Sequence, residues 1–146
     1  MKRAVLLLNM GGARDEKEIE IFLKNIFLDP NIISLPRPLR DIVAYIIRRS
    51  RVEEAKENLK KMGGRSPLYD ITNSLSKKIE KITNIPTFFV MRYLPPFAKD
   101  ILKDLKNKNI QELILLPMYP HYSFSTTKSS IEDIFFWLKR LNYNPS

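Results

Sequence analysis

The sequence predicts an α/β protein, a parallel sheet covered by helices. Three observations carry that prediction. Short apolar runs at Ala4–Leu8, Phe88–Met91 and Leu113–Leu116 have the continuous character of strands buried on both faces. Apolar residues at helical spacing fill the intervals between them. Each run opens into a polar or glycine-bearing loop before the next helix, the alternation of a helix-covered parallel sheet with right-handed crossovers.

In chain order, Arg3–Asn9 is the first strand, and it ends in Asn9-Met10-Gly11-Gly12. Paired glycines after a strand let backbone N–H groups approach a ligand closely, although the pattern is not the full dinucleotide fingerprint. A helix starts at Asp15, with acidic residues in its first turn, and ends near Asp29-Pro30. A second starts at Pro36-Arg37-Pro38 and closes at Arg48-Arg49-Ser50-Arg51, where cations suit the helix dipole. Its apolar side, Leu39, Ile42, Val43, Ile46 and Ile47, reads either as helix–sheet packing or as an apolar lip with a basic edge. Val52–Lys61 is a third, charged helix. Gly63 caps it and Pro67 prevents its continuation.

Arg65 and Ser66 stand in that turn as donors for a phosphate or carboxylate. Asp70–Thr83 is the next helix and Thr87–Met91 the second strand. This strand delivers Arg92-Tyr93 to its carboxyl end, where an arginine can pair with a buried carboxylate. A helix over Phe97–Lys106, a strand over Glu112–Pro117 and a helix over Ile131–Leu141 complete the order, with a turn-rich tail over Asn142–Ser146. The loop Met118–Ser130 is the densest set of hydroxyls, aromatics and imidazole. It lies beyond a strand's carboxyl end, where open α/β sheets bind ligands. Its plain reading is a helix cap by Ser129 or Ser130.

Composition bounds the chemistry. A chain of 146 residues is one domain by default. Without cysteine there is no disulfide, thiolate metal site or cysteine-held iron–sulfur cluster. His121 is the sole imidazole and the one metal-ligand candidate. Loop hydrogen bonding is its other reading. The net charge of +9 suits an anionic partner, but the lysines are spread over helix faces and no nucleic-acid motif accompanies them. No run reaches the ~20 apolar residues of a membrane span. A cytoplasmic location is expected.

The residues Leu7–Gly12, Phe22-Leu23…Phe27-Leu28-Asp29…Pro36, Gly63–Leu68, Met91-Arg92-Tyr93 and Tyr119–Thr127, in that order, resemble the ferrochelatase family. Its members insert ferrous iron into protoporphyrin IX to make protohaem. The resemblance runs from Met1 to Ser146 and covers the first half of a family chain roughly twice as long, built of two similar Rossmann-like domains. It therefore implies an N-terminal domain over residues 1–146, incomplete by itself.

The resemblance also implies a porphyrin cleft. Asn9, Met10, Gly11, Arg49, Ser66, Arg92, Tyr93 and Tyr122 are the porphyrin-binding candidates, and the Asp15–Arg51 hairpin is the lip. Departures are Leu94-Pro95 after the Arg-Tyr pair, His121 for a glutamine, Arg65 and Lys128 for glycines, and Phe124 where some members carry a cluster cysteine. No cofactor is expected, and ferrous iron is substrate. The family's proton-accepting histidine, in a Ser-Ala-His motif, and its acidic partner match nothing in these residues, so the catalytic residues are unassigned and the segment alone is expected to be inactive. The expected partners are protoporphyrin IX, ferrous iron, a membrane surface at the lip, and either a C-terminal domain or a second copy. A non-catalytic tetrapyrrole-binding module and a short homodimeric chelatase are the alternatives.

Overall fold

β1 (Arg3–Asn9) is the centre of the sheet, flanked by β2 (Thr87–Met91) and β3 (Glu112–Pro117), all parallel, in the order β2-β1-β3. The computed structural model describes residues 1–146. Leu6 stands beside Phe88 on one side and Leu115 on the other. Side chains alternate across a strand, so the continuous apolar run of β1 feeds two cores. Ala4, Leu6 and Leu8 pack with Leu102, Leu105 and Ile134 of α4 (Ala98–Asn107) and α5 (Ser129–Arg140). Val5 and Leu7 pack with Leu75 and Ile79 of α3 (Leu68–Thr83). A leucine buried as Leu7 is contributes roughly 1.5–3 kcal/mol.

A third cluster joins α1 (Glu16–Phe27) to α2 (Arg37–Lys61), through Ile19 and Leu23 against Val52 and Leu59. α1 begins where the acidic first turn predicts. The Asp15 carboxylate accepts from the Glu18 N–H at 3.0 Å, and the Glu18 carboxylate accepts from the Arg14 N–H at 2.9 Å and from its guanidinium. The guanidinium hydrogen bond holds the Glu18 carboxyl below its usual range. Asp15→Ala is expected to cost about 1 kcal/mol and Asp15→Asn a fraction of that, read from urea midpoints. Equal losses would remove the cap from the explanation.

Two expectations are corrected. The helices read as Pro36–Arg51 and Val52–Lys61 are one helix of 25 residues. The arginine cluster suggested an end, but nothing after Pro38 breaks the helix, and the buried line Ala44, Val52, Leu59 runs through the supposed joint. Three helices, not four, therefore separate β1 from β2. Nor does α2 lie on the sheet. It packs on α1, leaving Leu39, Ile42, Tyr45 and Ile46 exposed. Gly63, at φ +86°, follows the last turn of α2 as the expected terminator.

The second correction concerns the last helix. It starts at Ser129, entered through one wide turn over Phe124–Lys128, and no side chain caps it. Ser129 and Ser130 are buried and bonded elsewhere. No helix is long and apolar enough to cross a membrane.

Candidate functional site

The carboxyl ends of the three strands meet in one rim of loops. Asn9 extends β1. Its carbonyl accepts from the Arg92 N–H at 2.8 Å, and the Met10 carbonyl accepts from the Tyr93 N–H at 3.0 Å. On the other side the Met118 N–H donates to Leu8 at 2.8 Å. The ladder of β1 thus continues into both neighbouring loops and fixes their backbones. The Asn9 side chain is buried. Its carbonyl oxygen accepts from the Met10 N–H at 2.9 Å, and its amide reaches Thr72 Oγ1 of α3 at 3.4 Å.

The glycines explain how the loops approach. Gly11 has φ +95°, a region that L side chains rarely adopt, and it packs against Met91 and Leu94. Gly12 lies so close to the second glycine loop that an added Cβ would sit 2.7 Å from Ser66 Cβ. The Ser66 N–H donates to the Ala13 carbonyl at 2.7 Å. The loops Asn9–Arg14, Gly63–Leu68 and Arg92–Leu94 are therefore one bonded structure.

Beneath the rim lies a buried polar cluster centred on Asp29, which is 2% exposed. One carboxylate oxygen accepts from the Tyr93 hydroxyl at 2.8 Å and from the Ser129 hydroxyl, and pairs with Arg92 Nη2 at 3.4 Å. The other accepts from the Asn31 N–H at 2.8 Å. Arg92 also donates from Nε to Ser129 Oγ at 2.9 Å and lies 3.7 Å from Asp133 through Nη1. Tyr119 and Ser130 share a hydroxyl hydrogen bond at 2.7 Å.

Four donors on one carboxylate compensate the cost of burying its charge. The cluster ties the end of α1, the end of β2 and the start of α5 together. Burial pushes the Tyr93 and Tyr119 hydroxyls above the ordinary phenol range, so both are neutral, and Tyr93 donates to Asp29.

Burial likewise raises the Asp133 carboxyl, with Arg92 and Trp137 opposing. A carboxyl raised in the fold contributes stability that is present below its unfolded pKa and lost as pH rises through its folded one. Asp133→Asn is therefore expected to flatten the fall in urea midpoint between about pH 4 and the higher folded value. Parallel profiles for the two proteins would contradict this.

Of the predicted site residues, the structure brings Asn9, Met10, Gly11, Ser66, Arg92 and Tyr93 into this one assembly. Tyr93 is buried, with its ring edge-on to Phe22, so its hydroxyl serves Asp29 rather than the surface. Arg92 meets the buried carboxylate that its position at a strand end calls for, not loop carbonyls. Arg49 stands apart on α2, where it donates to the Tyr45 hydroxyl at 3.1 Å. Tyr122 is 67% exposed and touches Phe124 edge-on.

His121 is exposed, and no three His, Cys, Asp or Glu side chains are grouped to hold a metal ion. The sequence reading missed Asp29, Ser129 and Asp133. Asp29 read as a helix end before Pro30. The Phe27-Leu28-Asp29 motif that carries the resemblance was the available signal, and it does not name the partners of Asp29.

Glycine-turned loops bonded across the carboxyl ends of a helix-covered parallel sheet define an α/β protein of the doubly wound class, with its crevice at the strand ends. Within that class the chain belongs to the ferrochelatase family, whose model, described as Ferrochelatase, matches residues 2–146. It is similar to a ferrochelatase of Nitratiruptor sp., 45% identical over 146 residues, covering 97% of this chain and 47% of that protein. It is 44% identical to a ferrochelatase of Sulfurimonas denitrificans over 135 residues, covering 90% of this chain and 43% of the relative. A Campylobacter jejuni subsp. doylei ferrochelatase is 48% identical over 132 residues, which make up 89% of this chain and 44% of the relative. The chain thus spans a little under half the length of these relatives.

Proposed function

We propose that this chain forms part of a ferrochelatase, which inserts ferrous iron into protoporphyrin IX to give protohaem in haem biosynthesis. In this reading its residues supply the walls and lip of the porphyrin cleft. The observation that carries the proposal is the single bonded rim at the strand ends, in which three of the family's loop motifs meet. A porphyrin is a flat apolar ring bearing two propionates, and needs apolar walls with a few fixed donors. Met10 and the Gly11 backbone lie on the rim, with Ser66 beside them. Tyr122 offers an exposed ring, and Arg49 a cation for a propionate.

The exposed stripe Leu39, Ile42, Tyr45 and Ile46, with arginines 37, 40, 48 and 49 around it, is the proposed lip. Such a basic-edged apolar surface suits peripheral contact with a membrane, the protein being otherwise cytoplasmic. Nucleic acid is not among the proposed partners.

Metal insertion exchanges two pyrrole protons for one ferrous ion, so it needs a base within reach of the ring. The buried rim groups are poor bases: burial holds the Tyr93 and Tyr119 hydroxyls protonated, Asp29 is enclosed by its donors and Asp133 is paired with Arg92. The exposed His121, read as a loop hydrogen-bonding residue, does not stand at the family histidine's position. We therefore place the proton acceptor outside residues 1–146 and expect the segment alone to bind porphyrin without turnover. No iron–sulfur cluster or other cofactor enters this proposal.

Absorbance titration with protoporphyrin IX, with and without ferrous iron, tests it. The chain alone should shift the porphyrin band. The chain joined to the remaining polypeptide of the Nitratiruptor relative should also form haem. Arg49→Ala should weaken porphyrin binding about tenfold, the loss of one charge-assisted contact. Binding without haem in the joined protein would favour the non-catalytic module. An unchanged spectrum in both proteins would end the proposal.

A further inference from the structure

We propose that Asn25 is a positioning residue for the porphyrin wall: through the Tyr93 carbonyl it sets where Met10 and Gly11 stand on the rim. The inference rests on the porphyrin reading and adds to it a residue from outside the rim. The first observation is one hydrogen bond. Asn25 Nδ2, near the end of α1, donates to the Tyr93 carbonyl at 2.8 Å, across 68 positions of sequence. No backbone N–H reaches that carbonyl, so the Asn25 amide is its single donor. Asparagine is a poor helix former. Its place inside α1 is explained by this bond, not by the helix.

The second observation is what the same peptide unit touches. Its nitrogen belongs to Leu94. A Cβ built on Gly11 would stand 3.5 Å from that nitrogen and 3.4 Å from Leu94 Cβ. A peptide unit is planar and turns as one body. The direction of the Tyr93 oxygen therefore fixes the Leu94 nitrogen, and with it the surface on which Gly11 rests. The Tyr93 N–H meanwhile donates to the Met10 carbonyl at 3.0 Å. The backbone of Tyr93 thus holds α1 through its oxygen and the loop after β1 through its nitrogen.

Other groups carry the packing, which separates this bond from general support of the fold. The Tyr93 side chain is held independently, its hydroxyl on Asp29 and its ring against Phe22. Ile19 and Leu23 seat α1 on α2. Asn25 is only half-buried and lines an open cleft beside Arg92, Phe97 and Trp137. Water entering from that cleft can satisfy the Tyr93 carbonyl when the amide is removed, but it cannot hold the carbonyl in one direction. What is lost is the set of the rim, with the core left intact.

Asn25→Ala removes the donor, and Asn25→Asp replaces it with an acceptor of the same shape. Both are titrated with protoporphyrin IX by absorbance beside the unmutated chain. Loss of a merely supporting residue lowers the share of folded protein, and so the amplitude at saturation. Loss of a positioning residue raises Kd at full amplitude. Both variants are expected to raise Kd about tenfold and to keep the amplitude. Asp15→Ala, which loosens the far end of α1 without touching Tyr93, should leave Kd unchanged. In both Asn25 variants amide exchange at Tyr93 should quicken about tenfold relative to exchange at Leu105 in the core. An unchanged Kd in Asn25→Ala, a loss confined to the charged variant, or an amplitude that falls at constant Kd overturns the inference. If the unmutated chain leaves the porphyrin spectrum unshifted, the porphyrin reading fails separately and exchange decides. Selective quickening at Tyr93 then keeps Asn25 as the residue that sets the rim, and equal quickening at Tyr93 and Leu105 removes it.

Discussion

Asp29→Ala is expected to destabilise the chain by about 3–5 kcal/mol, the cost of removing one partner of a buried ion pair. The magnitude follows from what is left behind. The Asp29 side chain is fully buried and Arg92 only 23% exposed, so the guanidinium would keep its desolvation cost and lose its nearest carboxylate. Asp133, at 3.7 Å and carrying a raised carboxyl, is a poor replacement. The Tyr93 and Ser129 hydroxyls would lose their acceptor as well.

Domains of this size are stable by only about 5–15 kcal/mol, so the variant should unfold at a much lower urea concentration. Asp29→Asn keeps the shape and an acceptor oxygen and should lose less. Arg92→Met, which removes the charge that needs compensation, should recover part of the loss when combined with Asp29→Ala. Equilibrium urea unfolding of the four proteins completes a double-mutant cycle. Additive losses would show that Asp29 and Arg92 act independently and would undo this account.

The second large effect is expected at Gly12. Gly12→Val places a branched side chain where even one carbon would overlap Ser66 Cβ, itself held by the backbone bond to Ala13. The loops Asn9–Arg14 and Gly63–Leu68 must then separate. Overpacking of this kind costs about 1–3 kcal/mol, and here it falls on the rim. Loss of amide protection at Ser66 is the expected readout, and, on the proposed porphyrin reading, an affinity that falls further than stability does. Gly63→Ala is the contrast. An added Cβ there meets nothing, and the strain comes only from φ +86°, so it should cost about 1 kcal/mol and leave porphyrin binding unchanged. If Gly12→Val left the Ser66 amide protected, the close approach would not govern the rim.

The parts of this molecule that were legible in the sequence are those with short-range causes. β1 was readable because Ala4–Leu8 is apolar at every position, as burial on both faces requires. The rim loops were readable because Gly11 and Gly63 answer to backbone conformations few other residues tolerate. Long-range pairing was not legible. Asp29 carries no mark of being the acceptor for Tyr93, 64 positions away, or for Ser129, 100 positions away.

The arginine cluster in α2 misled because a favourable helix end and a solvated helix middle have the same composition. Only the buried spacing of Ala44, Val52 and Leu59 separates them. Leu39, Ile42 and Ile46 read either as a packing face or as an exposed lip because apolar periodicity records that a face is apolar, not what covers it.

The unbroken course of α2 has a mechanical consequence. Its 25 residues form a rod about 37 Å long with no glycine or internal proline at which to yield. One end carries the water-exposed apolar stripe, and the other runs into the turn that is bonded to Ala13 and pressed on Gly12. With Val52 and Leu59 seated on α1, the stripe and the far turn are held at a fixed separation by one continuous element.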